Sequence, residues 1–424
     1  MVDLGKWKPW NSEAGGEGKG GSVTISSSNF TSPIDWSLAP SKSHMIRWLL
    51  LAAQGEKEVA LKFSGSPGED VISMARCLKQ LNVKIDIKND EWIVLGVCPS
   101  GFNRPSSVLN CGNSGTTLRL LTIAAARLNH PVMLDGDRTL RRRHSETLLT
   151  ILEYLGANVS HGTGLESLPY LVHGPLEPGE VTIDINRSSQ PLSALLLSMP
   201  ALDGQIRVNL SGEGVSRRHA QLSFELARIT GSSNKIDWRP HIKLKPWIVE
   251  CPDEVKIPSD RSLESFAMLY GIVHNVDVNI INRPSNEDSL GAEILESLQS
   301  NDGPIEIDLR DANDLLPPLA AILALSSGGT ILGASHARHK ESNRIEKTVE
   351  LLSNFGIQSN PTEDGISVLG NQTPIRPEGV VETYADHRLW MTAACISSKV
   401  GAVLSHPKSY EVSDPDFLSR ILEE

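Results

Sequence analysis

A chain of 424 residues, 39% hydrophobic and 21% charged, has the make-up of an ordinary globular protein with room for two or three domains, which excludes wholesale disorder. A net charge of −11 argues against nucleic acid as a partner, and no apolar run is long enough to span a membrane. Five scattered cysteines, Cys77, Cys98, Cys111, Cys251 and Cys395, lack disulfide or metal spacing and read as buried reduced thiols of a cytoplasmic protein that holds no metal.

Residues 1–22, polar and glycine-rich, read as a flexible leader in which Trp7 and Trp10 are the candidates for packing. Strands are expected at Ser22–Ser26 and Ile34–Leu38. Ser41-Lys42-Ser43, with Arg47 one turn on, then opens an apolar helix. Hydroxyls, two cations, the helix dipole and free N–H groups at one helix start suit a phosphate or carboxylate, although an ordinary N-cap has the same signature.

From there the chain repeats itself. A polar turn leads into a small-residue-rich apolar helix at Ser41-Lys42-Ser43, Asn113-Ser114-Gly115-Thr116, Ser188-Ser189-Gln190, Asp260-Arg261-Ser262, Asn313-Asp314 and Ala385-Asp386-His387-Arg388. Each helix is followed by a strand, expected at Val59–Phe63, Val132–Leu134, Ile206–Leu210, Val276–Ile281, Thr330–Leu332 and Ala402–Leu404. A second, amphipathic segment comes next: Asp70–Leu81, Ser145–Leu155, Ala220–Ile229, Leu290–Leu298, Ile345–Phe355 and Asp416–Leu422. The openings lie roughly 55 to 75 residues apart, which suits a βαβαββ unit better than a solenoid repeat. The first helix of each unit is apolar all round and should be buried, while the second keeps one wet face. Three such units make a domain and six make two, and helix starts directed at a shared cleft would gather the polar openings there.

The ordered motifs Pro40-Ser41-Lys42-Ser43…Arg47, Gly112-Asn113-Ser114-Gly115-Thr116-Thr117…Arg119, Gly136-Asp137…Leu140-Arg141…Arg143 and Ser188-Ser189-Gln190…Ser193-Ala194-Leu195-Leu196 resemble those of the 5-enolpyruvylshikimate-3-phosphate synthase family. So do Val215-Ser216, Asp314-Leu315-Leu316-Pro317-Pro318, Lys340-Glu341-Ser342…Arg344 and Asp386-His387-Arg388. The likeness runs from about residue 34 to the C-terminus. It implies an α/β fold, a two-domain inside-out α/β barrel with three βαβαββ units per domain. Residues 40–259 would form a continuous domain, 23–39 plus 260–424 a discontinuous one, with the active site in the cleft between them and closure on the phosphorylated substrate.

The resemblance also implies the chemistry: a hydroxyl of shikimate 3-phosphate adds to C2 of phosphoenolpyruvate while C3 takes a proton, and phosphate then leaves a tetrahedral intermediate. No cofactor is implied. Lys42, Ser43, Arg47, Ser188, Ser189, Gln190, Ser216, Asp314 and Lys340 would hold shikimate 3-phosphate. Lys42, Asn113, Gly115, Thr116, Arg143, Gln190, Arg344 and Arg388 would hold phosphoenolpyruvate, since guanidinium forks suit its oxygens. Asp314 is the implied general base, and Lys42 and Glu341, with Lys340 and His387 nearby, are implied in proton transfer at the methylene carbon. A lysine set among cations would exchange protons near neutral pH. Read without the family, Arg138–Arg143 could be a solvated basic loop, and Ser188-Ser189 and Asp386-His387-Arg388 plain helix caps. Gly115 implies close backbone approach to a ligand.

The chain departs from the family pattern at Met45, Leu120, His144 and Asn343, and at Arg217-Arg218-His219, where His219 takes a tyrosine's place. Val412 falls where a lysine is usual, with Lys408 close by. These changes leave room for another phosphorylated cyclitol as acceptor, or for a non-catalytic anion-binding paralogue. A transferase for UDP-N-acetylglucosamine would carry a reactive cysteine in the second unit's loop, and Asp135–Ser145 has none. Acidity and few aromatics fit a monomer.

Overall fold

Helix and strand alternate along the chain as the repeat requires, in a computed structural model that describes residues 21–98, 100–143, 145–162, 167–286, 291–299 and 303–422. The leader up to residue 20, His144 and Leu290 lie outside the described residues. Strands β1 (Ser22–Ile25) and β2 (Ile34–Trp36) precede α1 (Lys42–Ala53), β3 (Glu58–Lys62), α2 (Glu69–Gln80), β4 (Lys84–Ile87) and β5 (Glu91–Leu95). Next come β6 (Leu109–Asn110), α3 (Gly115–Ala125), β7 (Val132–Asp135), the short α4 (Arg138–Arg141), α5 (Glu146–Tyr154), β8 (Asn158–His161) and β9 (Tyr170–His173). Then follow β10 (Glu180–Asp184), α6 (Gln190–Ser198), β11 (Ile206–Ser211), α7 (Arg217–Ile229), β12 (His241–Leu244) and β13 (Glu254–Lys256). After them the chain forms α8 (Glu264–His274), β14 (Val278–Ile280), α9 (Ala292–Gln299), β15 (Ile305–Asp308), α10 (Leu316–Leu325), β16 (Gly328–Leu332) and α11 (Arg344–Asn354). The last elements are β17 (Ser359–Pro361), β18 (Ile366–Leu369), β19 (Val380–Val381), α12 (His387–Val400), β20 (Ala402–Ser405) and α13 (Phe417–Leu422).

The chain divides into two compact units, Pro40–Pro258 and the two stretches that end at Ala39 and resume at Ser259. In the continuous unit, α1, α3 and α6 are buried helices. Their C-terminal ends are tied by two side chains. Gln54 donates to Leu50 O at 3.0 Å and Leu197 O at 2.9 Å. Arg127 donates to Gln54 Oε1 at 2.6 Å, Ser198 O at 3.0 Å and Ala124 O at 3.3 Å. One guanidinium therefore serves carbonyls left over where two helices end, at the negative end of their dipoles. In the discontinuous unit the buried helices are α8, α10 and α12. Pro317 and Pro318 sit in the first turn of α10, where a missing N–H breaks no helical bond. Along α12, Thr392 and Ser397 return their hydroxyls to Arg388 O and Ala393 O, at 2.8 and 2.7 Å, so a helix buried from His387 to Ser398 leaves these polar groups satisfied.

The strand after each buried helix has a parallel neighbour: β13 beside β3, β6 beside β7, β10 beside β11, β2 beside β14, β15 beside β16 and β19 beside β20. An antiparallel neighbour flanks five of them, namely β5, β9, β12, β18 and β1. The last pairing joins strands far apart in the chain, Ser22 opposite Ser405. Strand β14 has β2 alone among the described residues. The βαβαββ pattern thus holds with three local departures: one strand, β12, follows α7, no strand lies between α9 and β15, and none follows α13, where β1 takes the place, among the described residues. Expected and observed elements otherwise differ by a residue or two at their ends, except α7, which starts three residues early because Ser216 adopts a left-handed φ of 52° and turns the chain into it. Cys98 corrects the reading of all thiols as buried: Cys77, Cys111 and Cys395 are in the core and Cys251 is half-buried, but Cys98 is exposed.

Candidate active site

In the continuous unit the polar residues cluster at the N-terminal ends of α1, α3 and α6. Ser41 caps α1 and its Oγ lies 2.9 Å from His44 Nδ1. Lys42 Nζ is 2.9 Å from Asp70 Oδ2. A carboxylate is thus its ion-pair partner. Arg47 is 1% exposed and donates to Ser223 Oγ at 2.8 Å, Ser43 O at 2.9 Å and His219 O at 3.1 Å. None of these three groups carries charge, and burial pushes the guanidinium down to about 10. A buried cation held by neutral oxygens alone, as Arg47 is among the described residues, is costly unless an anion joins it.

The start of α3 is built on Asn113, whose amide donates to Asp137 Oδ2 at 2.7 Å while its Oδ1 accepts from Arg143 Nη2 at 2.9 Å. Gln190, at the start of α6, accepts from Arg119 Nη1 at 2.6 Å and donates to Thr116 Oγ1 at 3.1 Å. A Cβ on Gly115 would lie 2.6 Å from Arg119 Nη1 and 3.0 Å from Arg143 Nη1. Two guanidinium groups therefore converge on the one position that has no side chain, where the sequence suggested a ligand alone. Ser188 Oγ accepts from Gln190 N at 3.1 Å, and the buried Ser189 hydroxyl donates to Ser216 O at 2.6 Å. Ser189 thereby holds the strained Ser216 that opens α7. Arg217 and Arg218 fall in the first turn of that helix, where cations oppose the dipole. Arg217 lies over the Trp238 ring at 5.1 Å and Arg218 Nη1 is 3.0 Å from Glu225 Oε1.

In the discontinuous unit, Arg344 is 1% exposed and joins three carboxylates. Its Nε and Nη2 reach Asp386 Oδ2 and Oδ1 at 2.9 and 3.2 Å, Nη1 reaches Asp314 Oδ1 at 2.6 Å, and Nη2 reaches Glu341 Oε2 at 2.6 Å. Burial opposes the charge, but Asp386, Glu341 and Asp314 outweigh it and hold the proton more firmly than in a free guanidinium. Asp386 is also the N-cap of α12, accepting from Arg388 N at 2.9 Å. Arg388, 1% exposed, donates from Nη2 to Ser262 Oγ at 3.0 Å and lies 3.8 Å from Asp314 Oδ2. Its Nε and Nη1 are buried with no hydrogen-bond partner among the described residues. Ser262 in turn donates to Asp260 Oδ1 at 2.6 Å. Beside this group His336 is buried with neither ring nitrogen hydrogen-bonded among the described residues, and burial, with Lys340 next in effect, lowers its pKa to about 3. His387 is buried at the first position of α12.

The family described as EPSP synthase (3-phosphoshikimate 1-carboxyvinyltransferase) matches residues 35–421. The chain belongs to the EPSP synthase family. Among its relatives, a 3-phosphoshikimate 1-carboxyvinyltransferase of Methanothermobacter thermautotrophicus is 30% identical over 91% of this chain and 94% of its own. One from Caldicellulosiruptor saccharolyticus is 30% identical over 81% of this chain and 88% of its own. The structure of EPSP synthase from Acinetobacter baumannii superposes with a TM-score of 0.74, at 22% identity over 94% of this chain and 96% of that one. The enolpyruvyl transferase NikO from Streptomyces tendae gives 0.71 at 14% identity, over 96% and 97%. The two structures show the fold, the same α/β architecture.

Within this EPSP synthase family member, the sequence-predicted residues fall into two sets, each brought together by its own unit. Lys42, Ser43, Arg47, Asn113, Gly115, Thr116, Arg143, Ser188, Ser189, Gln190 and Ser216 belong to the helix starts of the continuous unit, and Asp314, Lys340, Glu341, Arg344, His387 and Arg388 to those of the other. The residues that hold these in place were not read from the sequence as site residues: Asp70, Arg119, Ser223, Ser262 and Asp386; nor was the buried His336 beside them. Arg119 and Asp386 stood inside quoted motifs and Asp260-Arg261-Ser262 was a recognised opening. Asp70 and Ser223 carried no signal, because their partners come from other elements, and His336 stands outside every motif.

Proposed function

We propose that this EPSP synthase family member transfers the enolpyruvyl group of phosphoenolpyruvate to the 5-hydroxyl of shikimate 3-phosphate and releases phosphate, as part of aromatic amino-acid biosynthesis. Arg388 carries the reading in the structure: a buried guanidinium with two unspent N–H groups stands 3.8 Å from Asp314, placing an anion's counter-charge next to a carboxylate able to take a proton. Phosphoenolpyruvate supplies such an anion. Asp314 accepts the proton of the attacking hydroxyl as C2 is attacked, and Glu341 and Lys42 exchange the proton at C3, with Lys340 and His387 nearby. The C2–O bond to phosphate then breaks, phosphate leaves with a proton on its bridging oxygen, and C3 gives its proton back as the C2–C3 double bond re-forms.

Arg388, Arg143 and Arg119 hold the charges of phosphoenolpyruvate, and Arg47, Ser43, Ser188, Gln190 and Lys340 those of shikimate 3-phosphate. Arg344 is already engaged by three carboxylates, so it acts on phosphoenolpyruvate only as one of them turns away. Among the described residues no helix is long and apolar enough to cross a membrane, and we read the enzyme as cytoplasmic. Mixing the purified protein with both substrates and measuring phosphate release tests the function. Release that requires shikimate 3-phosphate is expected. Tight binding of shikimate 3-phosphate without release would leave a binding paralogue, and release only with a different phosphorylated cyclitol would move the acceptor.

A further inference from the structure

The interval from the opening at Asp260 to the next at Asn313 is shorter than the other four by about the length of a hairpin. The structure shows what is missing. In the units containing α2, α5 and α11, a two-stranded hairpin follows the helix and its second strand pairs antiparallel with the strand after the buried helix. Between α9 and β15 lie only residues 300–304, too few for two strands and a turn. In the last unit β1 supplies the antiparallel strand from the far end of the chain. For β14 nothing among the described residues does so.

Asp277 O and Ile281 N bond to β2, so the N–H and C=O groups of Val278 and Ile280, which alternate with them, point to the open edge. Beside that edge lies a cavity of about 530 Å³ whose walls include Met268, Ile272, Val278, Ile280, Leu298 and Leu323. Ile272 and Ile281 stand 38% and 61% exposed here. An open strand edge flanked by exposed apolar side chains is a template for another strand.

We propose that this edge is an interface between two copies of the chain, with β14 of one copy pairing antiparallel to β14 of the other about a two-fold axis. The sense is the one the absent hairpin strand would have, and two-fold symmetry produces it without further provision. Charge favours it as well. Asp277 precedes the strand and Arg283 follows it, both exposed, so an antiparallel copy sets each carboxylate toward a guanidinium, whereas a parallel one would set like against like. The result is a four-stranded sheet, β2-β14-β14-β2, with as many strands as those around β3, β7 and β16, and it covers Ile272 and Ile281 in both copies. A monomer, the expectation from composition, is then the dilute form of a weak dimer.

Sedimentation velocity from about 1 to about 100 μM should show the mean mass rising from monomer toward dimer. Asp277→Lys and Ile281→Lys, both outside the candidate active site, should each weaken association at least tenfold and leave phosphate release unchanged. Asp277→Lys mixed with Arg283→Glu restores opposite charges at both contacts, so the mixture should associate more tightly than either variant alone. Ile281→Lys keeps the test open should Arg283→Glu unsettle Glu264, whose Oε1 lies 2.7 Å from Arg283. A monomer throughout the concentration range would overturn the proposal, as would a dimer indifferent to Asp277→Lys and Ile281→Lys. So would amides of Val278 and Ile280 that are protected from exchange in the monomer and lose protection when residues 1–20 are removed, since the chain's own leader would then cover the edge.

Discussion

Three carboxylates share Arg344, and they are not equivalent: Asp386 is fully buried and Glu341 nearly so, whereas the Asp314 side chain is 33% exposed. Asp314 is therefore the one that can turn to a substrate hydroxyl while the other two keep Arg344 in place. Asp314→Ala should lower kcat by about 10²- to 10⁴-fold with the melting temperature little changed, and near-normal turnover would remove Asp314 as the base. Arg388→Lys keeps the charge but loses the planar fork, so KM for phosphoenolpyruvate should rise at least tenfold, about 1.4 kcal/mol, in steady-state kinetics. A third residue reports on acid stability. His274 is buried with Nε2 2.8 Å from Ser398 Oγ, and burial, helped by Lys399, lowers its pKa to about 4. The unfolded chain takes up this proton first, near pH 6.5, so the contribution is complete above that pH and drains away as pH falls to about 4, by roughly 3 kcal/mol. Thermal melts between pH 7 and 4 should show His274→Gln losing less stability than the parent; equal losses would exonerate His274. The residues proposed to touch substrates were candidates in the sequence because they sit in ordered motifs. Their supports were not, since the pairing of Lys42 with Asp70 or Arg47 with Ser223 joins elements whose separation in sequence carries no pattern.

At the scale of elements, period and polarity marked nearly every helix and the strand after each buried one, because all-apolar helices such as α10 and one-sided helices such as α11 are different sequences before they are different structures, whereas the short pairing strands such as β8 and β17 carried no range of their own. What escaped is where a repeat is incomplete. The short interval after Asp260 was visible in the numbering, yet it says nothing of which strand is absent until the pairing of β14 is known. The early start of α7 also escaped, because Ser216 takes a left-handed backbone that no periodicity announces. Arg127 belongs to this scale, since it joins the ends of helices rather than any ligand. Arg127→Met keeps the aliphatic stem and removes the bonds to Gln54, Ser198 and Ala124, leaving buried carbonyls unpaired. It should cost about 2–3 kcal/mol in denaturant unfolding, with KM for either substrate unchanged. A cost within 0.5 kcal/mol would mean that water replaces the guanidinium.

For the whole molecule, the two units differ in how much of the chain each needs. Residues 40–258 contain every strand of three sheets and the core around α1, α3 and α6, so expressed alone they should unfold cooperatively in a thermal melt. Residues 259–424 lack β1 and β2, which pair with β20 and β14 and bring Ile25 and Trp36 into the core, and alone they should melt without a cooperative transition. The reverse result would show that these two strands are dispensable. The pairing of Ser22 with Ser405 also sets a timetable. On a ribosome adding about 5–20 residues per second, β1 emerges and then waits on the order of half a minute for β20 to be made. Throughout that interval β1 is unpaired while the continuous unit folds behind it, which makes this strand a natural client of a chaperone and holds back the discontinuous unit until β20 is made.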